Sequence, residues 1–414
     1  MRESCLLIIG YTWPEPESTA AGNRMHQLLL FFLSLDYKIV FASTAKASER
    51  SLALADMGIE TKAILLNDPG FDRYVARLQP EVVLFDRFLT EEQFGWRVAE
   101  FAPGALRILD TEDLHSLRAI RERNHKKGID FSLSEWLKSD VAKRELASIY
   151  RSDLSLIISS YEMELLSVLN IDDRLLLHLP FMVETLTDAD TEQWPSYSDR
   201  SGFVCIGNGK HQPNIDALRW LKSQIWPRIK KGLPEAKLNV YGAYLPQSIM
   251  QMHHAREGFL VKGWVEDADS VMKMARLNLA PLRFGAGIKG KLLLGMTCGT
   301  PSVTTSIGAE GMCGTLAWNG KIEDDAEGFA RAAIHLYENE CEWKKAQEKG
   351  VALVNGLYGK ERHEALFKDR IQALSEGLEE HRLRNLTGSL LQHHTLNATK
   401  YMAKWIEEKK ASGK

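Results

Sequence analysis

The stretch RFGAGIKGKLLLGMTCGTPSV, residues Arg283 to Val303, joins a glycine-rich loop to the start of a helix. The G-x-G-x-x-G spacing of a dinucleotide-binding loop is present in Gly285, Gly287 and Gly290. Lys289 and Lys291 follow at the predicted first turn, where cations are unfavourable for an isolated helix. Backbone N–H groups and lysines at a helix N-terminus therefore predict a bound phosphate; a tight turn with solvated lysines is the alternative.

The context of these glycines differs from that of a dehydrogenase. A dinucleotide fingerprint begins where the first strand of a βαβ unit ends. Here four residues separate the apolar run RLNLA from Gly285, and that run is about the fourth of its domain. Glu310 follows Gly285 at about the distance of a ribose-binding acid, but it lies in a loop after the next strand. A nicotinamide oxidoreductase is therefore a minor interpretation.

Short apolar runs alternate with helical patterns along the chain. The runs of the first half are CLLIIG, YKIVFAST, EVVLFD, LRILD and LSLIISS, and those of the second half are GFVCIGN, KLNVYGA, GFLVKGW, RLNLAPL and PSVTTS. Each series predicts a parallel sheet covered by helices, so we expect an α/β protein with two Rossmann-like domains. A chain of 414 residues that is 44% hydrophobic is long enough for two cores.

A polar segment with proline separates the two series and predicts a linker at 181–200, between domains at 1–180 and 201–380. A charge-rich insertion at about 114–150 is expected to be mostly helical. Its basic cluster predicts either a solvated helix face or a site for an anionic acceptor or membrane surface, and consists of Arg118, Arg121, Arg123, Lys126 and Lys127. Residues 381–414 predict a helical extension in which TKYMAKWIEEKK is amphipathic.

Charge and cysteine content narrow the class of protein. The chain has 52 basic and 55 acidic residues and a net charge of -3. Its overall charge therefore does not indicate nucleic-acid binding, which favours a positive excess. Its five separated cysteines include no C-x-x-C pair and no cluster at zinc spacing, which indicates reduced thiols. The chain contains neither a signal-peptide core nor a membrane-length apolar run. We therefore expect a cytoplasmic protein, with peripheral contact at the inner membrane face through 118–127 as an open alternative.

The segment PLRFGAGIKGKLLLGMTCGTPSVTTSIGAEG resembles the donor-binding segment of GT-B glycosyltransferases of family 4. Further similar stretches are FVCIGNGKHQPNIDALRWLKSQIWPRIKKGLPEAKLNVYGA, VKGWVED, YTWPEPESTAAGNRMHQLL, LRILDTEDLHSLR and DLSLIISSYEMELL. The resemblance implies two facing domains, of which the second holds a UDP- or GDP-sugar and the first an acceptor. It also implies retaining transfer without a metal ion or a further cofactor.

The resemblance assigns donor binding to residues at the strand ends and in the glycine loop of the second domain. They are Gly207, Asn208, Lys210, Gly285, Ala286, Gly287, Lys289, Lys291, Leu294 and Glu310. The family's E-x7-E pattern, whose second glutamate holds the ribose hydroxyls, falls here on Ala286 and Leu294. Leucine cannot accept that hydrogen bond, and its loss costs about 1 to 3 kcal/mol. Glu310, or backbone amides near Thr305, is the alternative ribose contact.

In the first domain, the segment DTEDLH places acids at a strand end. Glu112 stands where many family members have a histidine, and with Asp110 and Asp113 it is predicted to act in catalysis. Capping of the helix that begins near Leu114 is the alternative role. The start of the first helix is expected to line the acceptor side of the cleft through Gly22, Asn23, Arg24 and His26.

Three functional classes follow from the sequence. A retaining glycosyltransferase is the leading interpretation, a non-catalytic nucleotide-sugar-binding or scaffold protein is the second because of Leu294, and a nicotinamide oxidoreductase is the third. The expected partners are a nucleotide sugar and an acceptor, whether a glycan, a lipid-linked molecule or another compound.

Overall fold

A computed structural model describes residues 4–393 of the chain, together with Met402, Trp405 and Lys409. In this part of the chain the strands form two sheets, and all strand pairings within them are parallel. The first sheet contains β1 (Cys5–Gly10), β2 (Lys38–Ser43), β3 (Glu60–Ala63), β4 (Val82–Asp86), β5 (Leu106–Asp110), β6 (Leu154–Ile157) and β7 (Leu176–His178). The second contains β8 (Phe203–Ile206), β9 (Leu238–Tyr241), β10 (Phe259–Gly263), β11 (Leu277–Ala280), β12 (Ser302–Thr304) and β13 (Gly320–Ile322).

Both sheets are doubly wound. The strand order is β3-β2-β1-β4-β5-β6-β7 in the first sheet and β10-β9-β8-β11-β12-β13 in the second. The order reverses beside β1 in one sheet and beside β8 in the other, and ligands of such sheets bind at the carboxyl ends of the strands near the reversal. The predicted α/β class with two Rossmann-like domains is confirmed.

All ten apolar runs read from the sequence form strands, and three further strands lie at sheet edges. They are β3, β7 and β13, each of three or four residues. Every residue of β3 is exposed, so that strand has no hydrophobic pattern to reveal it. Edge position and short length explain why the sequence did not predict these strands.

Helices cover both sheets and connect the strands. They are α1 (Ala20–Ser34), α2 (Pro69–Leu78), α3 (Phe88–Phe101), α4 (His115–Lys127), α5 (Leu133–Lys138), α6 (Asp140–Arg151), α7 (Ser160–Val168), α8 (Asp188–Glu192), α9 (Gln212–Trp220), α10 (Trp226–Gly232), α11 (Gln247–Met250), α12 (Ala268–Met274), α13 (Gly290–Thr297), α14 (Ser306–Ala309), α15 (Ala326–Glu338), α16 (Glu340–Leu353), α17 (Lys360–Glu376), α18 (Leu378–Arg384) and α19 (Leu386–Gln392). No helix in this part of the chain has the length and apolarity of a membrane span.

The predicted helical insertion consists of α4, α5 and α6, which pack on the first sheet. Trp136 of α5 is fully buried in the core of that domain, and its indole N–H donates to Ser116 Oγ at 2.7 Å. The carboxylate of Glu145 on α6 accepts from the amide nitrogens of His115 and Ser116, at 2.8 and 3.0 Å. Helix α6 therefore fixes the N-terminus of α4 next to the end of β5.

The chain crosses between the two domains twice, at neighbouring points. Val183 N donates to Tyr358 O at 2.8 Å, and Lys360 N donates to Val183 O at 2.9 Å. After the second crossing, α17 packs on the first sheet: the ring of Phe367 lies 4.7 Å from that of Phe31. The predicted second domain, 201–380, thus includes a helix whose buried face lies in the core of the first. Apart from Met402, Trp405 and Lys409, the predicted TKYMAKWIEEKK helix falls outside the described residues.

Candidate active site

The candidate site lies between the two domains, where the loops that follow the strands of one sheet meet those of the other. At one end of this cleft, Tyr244 donates to the Glu15 carboxylate at 2.9 Å, and Asn208 Nδ2 donates to Ser18 O at 3.2 Å. Arg121 and Glu310 form an ion pair across the other end. Both ends of the cleft are therefore closed by contacts between the domains.

The glycine loop, residues 284–289, lies between β11 and α13 and packs against the first domain. Gly287 has φ of +62°, and a Cβ atom there would lie 2.7 Å from Asp113 Cβ. Its amide N–H donates to Glu162 Oε1 at 2.9 Å, and Arg121 donates to Gly285 O at 2.9 Å. Ala286 is buried in the core of the first domain. The predicted phosphate-binding loop is thus shared between the domains, and the Gly287 amide is already engaged.

Lys289 and Lys291 carry ammonium groups that have only neutral hydrogen-bond partners. Lys289 is 8% exposed and donates to Gly287 O at 2.8 Å, and Lys291 donates to Asn214 Oδ1 at 2.5 Å. No described carboxylate lies within 4.0 Å of either nitrogen. Burial lowers the pKa of Lys289 to about 8 and also lowers the pKa of Lys291. Glu310, Glu162 and Asp113 act on Lys289 from beyond that distance. A buried cation without an acid in direct contact is costly, and a bound anion would lower that cost.

Helix N-termini from both domains meet beside these lysines. A Cβ atom on Gly290, the first residue of α13, would lie 2.9 Å from Ala20 Cβ, the first residue of α1. Thr19 caps α1 by accepting from Gly22 N, whereas no described side chain caps α13. The first amides of α13 therefore remain available to a ligand, and two helix dipoles favour negative charge there.

Of two other predicted donor residues, one contacts this anion site and one does not. Gly207 makes room for Lys291, because a Cβ atom at Gly207 would lie 2.7 Å from the Lys291 ammonium. Lys210 instead stacks on Tyr244, with its nitrogen 3.5 Å from the ring centroid. Its amide donates to Asn208 Oδ1 at 2.7 Å. In this conformation Lys210 faces an aromatic ring rather than the glycine loop.

Leu294 has an apolar environment. Together with Ile206 and Tyr241 it packs against a buried cluster made of Val204, Met272, Ala275 and Cys298. The alternative ribose contact, Glu310, accepts from Arg121 at 2.6 and 2.8 Å. The position of the expected glutamate is therefore occupied by an apolar side chain that packs on its neighbours. The carboxylate of Glu310 is bound by Arg121 of the first domain.

Asp110 and Arg24, predicted respectively as a catalytic acid and an acceptor contact, bind each other. Arg24 Nε donates to Asp110 Oδ1 at 2.8 Å, and both side chains are 2% exposed. Arg24 also donates to Leu179 O at 2.8 Å. Burial raises the pKa of Asp110 despite the neighbouring guanidinium. This pair ties α1 to β5 and to the end of β7.

Glu112 and Asp113 remain at the cleft, where both are paired with cations. Glu112 lies 3.2 Å from Arg87 Nε and 3.2 Å from His115 Nε2, and Arg118 pairs with Asp113. Burial acts to raise the pKa of Glu112, but Arg87, His115 and Arg118 outweigh it and hold that pKa well below the usual range. Glu112 and Arg87 have φ of +62° and +71°, a strained conformation that is frequent at functional sites.

Helix capping is not the role of these acids. The N-cap of α4 is Leu114, which receives no side-chain cap. The free amides of the first turn are bound by Glu145, and Leu114 N donates to Glu162 Oε1 at 3.0 Å. The capping alternative for Asp110 and Asp113 is therefore wrong, because acids from α6 and α7 bind those amides.

Glu112, Asp113 and His115 also have the geometry to hold a metal ion, since their ligand atoms lie within 4.8 Å of one another. Arg87 and Arg118 already contact the two carboxylates. Two guanidinium groups at this position repel a divalent cation and supply the positive charge that a cation would bring.

The remaining acceptor-side residues have separate environments. Gly22 is buried against the backbone of Glu15, where a Cβ atom would have a contact of 2.4 Å. Asn23 is exposed and accepts from Gln27 at 3.1 Å. His26 is partly buried, and burial lowers its pKa. Gly22 therefore serves close packing at the start of α1, and the structure does not bring these residues together as one site.

The basic cluster of α4 does not form a single surface. Arg118 and Arg121 turn towards the cleft, where they pair with Asp113 and Glu310. Its exposed members are Arg123, Lys126 and Lys127.

Sequence reasoning missed two charged residues of the site. Arg87 directly follows β4, and Glu162 lies in the first turn of α7, the helix that follows β6. Both belong to segments that follow the carboxyl end of a predicted strand, which is the signal that could have revealed them.

The comparisons with known proteins agree with this architecture. Residues 200–339 match the family described as "Glycosyl transferases group 1". No curated protein sequence matches the chain.

Several solved structures share the two-domain arrangement. Sucrose-phosphate synthase from Thermosynechococcus elongatus superposes with a TM-score of 0.63 at 13% identity, covering 90% of this chain and 99% of that one. Anabaena HepE in complex with UDP-glucose gives 0.63 at 12% identity, covering 89% and 100%. A glycosyltransferase from Rickettsia africae ESF-5 gives 0.61 at 10% identity, covering 90% and 99%. These likenesses show that the chain has the GT-B fold.

Proposed function

We propose that the protein is a glycosyltransferase that moves a sugar from a UDP- or GDP-sugar to an acceptor held mainly by the first domain. The observation that carries the proposal is the position of two ammonium groups, of the buried Lys289 and the partly buried Lys291, at the uncapped N-terminus of α13, with no described carboxylate within 4.0 Å of either nitrogen. They lie within the segment that matches the glycosyltransferase family. A nucleoside diphosphate supplies the negative charge that this arrangement favours.

The same residues support transfer without a metal ion. When a sugar leaves its nucleotide, negative charge develops on the diphosphate, and preorganised cations and helix dipoles stabilise it. Lys289, Lys291 and the facing N-termini of α1 and α13 supply such groups. We therefore propose that no cofactor beyond the nucleotide sugar is required.

The environment of Glu112 supports retention of configuration at the transferred carbon. An inverting enzyme needs a general base with a pKa near the working pH. The pKa of Glu112 is held well below its usual range, which makes it a poor base. In the mechanism that we propose, Glu112 and Asp113 orient the acceptor and balance charge, and the departing diphosphate accepts the acceptor proton.

A non-catalytic nucleotide-sugar-binding protein is the second candidate, and the packing of Leu294 favours it. Without a ribose contact at that position, donor affinity is expected to be modest. The two candidates differ in turnover, because both bind nucleotide but only the enzyme transfers or hydrolyses the sugar. A glycan or a lipid-linked molecule remains the proposed acceptor.

The proposal includes peripheral contact with the inner face of a membrane through the exposed basic residues of α4. Only Arg123, Lys126 and Lys127 of its basic cluster are exposed. A cytoplasmic location likewise remains a proposal.

The test combines binding with turnover. Isothermal titration with UDP and GDP should detect binding to the wild type, and Lys289→Ala with Lys291→Ala should weaken it by at least about tenfold, as expected for lost charge-assisted hydrogen bonds. Lys262→Ala, an exposed lysine of the second domain, is the matched control. A panel of nucleotide sugars read by mass spectrometry then detects transfer or hydrolysis. No binding of either nucleotide, or an affinity of the double variant within twofold of wild type, contradicts the proposed site.

A further inference from the structure

The glycine loop is held at both ends by side chains of the other domain. Arg121 on α4 donates to Gly285 O at 2.9 Å, and Glu162 on α7 accepts from Gly287 N at 2.9 Å. Arg121 also binds both carboxylate oxygens of Glu310, which follows α14. One backbone carbonyl and one backbone N–H of the loop therefore depend on the first domain for their partners.

We propose that Arg121 and Glu162 are positioning residues that couple domain closure to the shape of the glycine loop, so that the donor site is complete only when the domains are closed. The inference rests on the proposed function, because it assigns the loop to a nucleotide-sugar site. Neither residue needs to touch the donor, since each acts through the backbone of the loop.

The loop has little reason to keep this shape in an open molecule. Glycine at two of its positions allows many backbone conformations, and Gly287 adopts a positive φ. The buried methyl group of Ala286 and the close approach of Gly287 to Asp113 are both contacts with the first domain. Domain opening removes these contacts together with the two hydrogen bonds. Fixing a backbone segment is entropically costly, so the loop is expected to lose its order.

Loop order matters for the anion site because Lys289 ends the loop. Its ammonium group donates to Gly287 O at 2.8 Å, so the position of that carbonyl sets the position of the charge. The uncapped first turn of α13 follows directly. A displaced loop would move Lys289 away from those amides, and the two would no longer act on one ligand.

Glu162 is built into this contact in an unusual way. The side chain is fully buried, Oε1 accepts from both Leu114 N and Gly287 N, and Oε2 has no partner among the described residues. Burial, with a smaller contribution from Asp113, raises the pKa of Glu162 to about 8. A neutral carboxyl group can still accept both hydrogen bonds through its carbonyl oxygen. Glutamine offers the same acceptor, whereas alanine removes it.

The first measurement follows the loop itself, without ligand. Hydrogen–deuterium exchange of a peptide covering 283–290 should become at least about threefold faster in Glu162→Ala and in Arg121→Gln, because each variant removes one anchor of the loop. Glu162→Gln should exchange like the wild type. The matched controls are Glu164→Ala and Arg123→Gln, which are exposed residues on the same two helices.

The second measurement is the affinity for UDP and GDP by isothermal titration. Glu162→Ala and Arg121→Gln should each weaken binding by about tenfold, with Glu162→Gln close to wild type, since an ordered loop is part of the site. Melting temperatures verify that each variant is folded. Because the two anchor residues lie on separate helices, one variant still tests the inference if the other does not fold.

The outcomes separate this inference from the proposed function. Unchanged loop exchange in both anchor variants overturns the coupling, whether or not nucleotides bind. Faster exchange with unchanged nucleotide affinity overturns the positioning role. If the wild type binds neither nucleotide, the proposed function is overturned, and with it the donor part of this inference. The exchange result still decides whether contacts with the first domain order the glycine loop.

Discussion

Arg121 and Glu310 form a two-bonded ion pair across the cleft, with guanidinium nitrogens 2.6 and 2.8 Å from the two carboxylate oxygens. The aromatic ring of Tyr161 lies 5.0 Å from the same guanidinium group. Glu310 is thereby engaged in joining the domains, although it was one of the alternatives for the ribose contact that Leu294 cannot make. The pair therefore acts as a unit at the edge of the proposed donor site.

Removal of Arg121 should weaken nucleotide binding at least as much as removal of Glu310, because Arg121→Gln also removes the hydrogen bond to Gly285 O. We expect the double variant to lose no more UDP or GDP affinity than Arg121→Gln alone, because the ion pair is already lost in that single variant. Isothermal titration of the four proteins measures the coupling. Additive losses would show that Glu310 contacts the nucleotide independently of Arg121.

Gly287→Ala should disrupt the contact between the domains more than Gly285→Ala does. Gly287 has a positive φ and no room beside Asp113, whereas a Cβ atom at Gly285 has only an ordinary contact with Lys289, at 3.8 Å. The left-handed conformation alone costs a non-glycine residue about 1 to 2 kcal/mol. Calorimetry and nucleotide titration should give a lower Tm and weaker binding for Gly287→Ala. Equal effects in the two variants would contradict the close approach.

Leu294→Glu should not restore a family-like ribose contact. The new carboxylate would be placed beside Ile206 and Tyr241 on an apolar cluster, where a charge without a partner is unfavourable. We expect a Tm lower by several degrees and no gain in UDP or GDP affinity, while the volume-conserving Leu294→Met stays close to wild type. Tighter binding by Leu294→Glu would instead indicate that the ribose hydroxyls face this position uncompensated.

Glu112→Gln and Asp113→Asn should lower turnover more than donor affinity. Both acids lie on the first-domain side of the cleft and are paired with arginines, so they are expected to act on the acceptor or on the transition state. A loss of at least about tenfold in kcat with nearly unchanged donor affinity is the expected result. Variants that melt lower yet turn over at the wild-type rate would assign these acids a purely structural role.

The strands that the sequence predicts are those with buried apolar runs. β1, β4 and β11 consist almost wholly of buried residues and carry a clear hydrophobic signal. β3 carries none, because its side chains are all exposed and its place is set by pairing with β2. The position of an edge strand depends on the strand it pairs with, and a local hydrophobic pattern carries no information about that partner.

The residues of the candidate site likewise fall into those that a local sequence pattern predicts and those that only the three-dimensional structure brings together. Gly287, Lys289 and Lys291 are close in sequence, and the chemistry of a helix N-terminus was sufficient to select them. The bond between Glu162 and Gly287 joins residues 125 positions apart, and that between Arg121 and Glu310 joins residues 189 apart. Such pairings depend on how two domains dock. Asp110 and Arg24 meet within the first domain, but they are 86 positions apart, and their pairing depends on tertiary packing that a local pattern does not contain.

The packing of Phe367 against Phe31 also sets an order of events during synthesis of the chain. The first sheet ends at β7, yet its core includes side chains of α17, which emerge from the ribosome about 180 residues later. Until then, the part of the core that receives Phe367, Ile371 and Leu374 is open to solvent. The N-terminal domain of this protein therefore cannot reach its final packing before the C-terminal one has been translated.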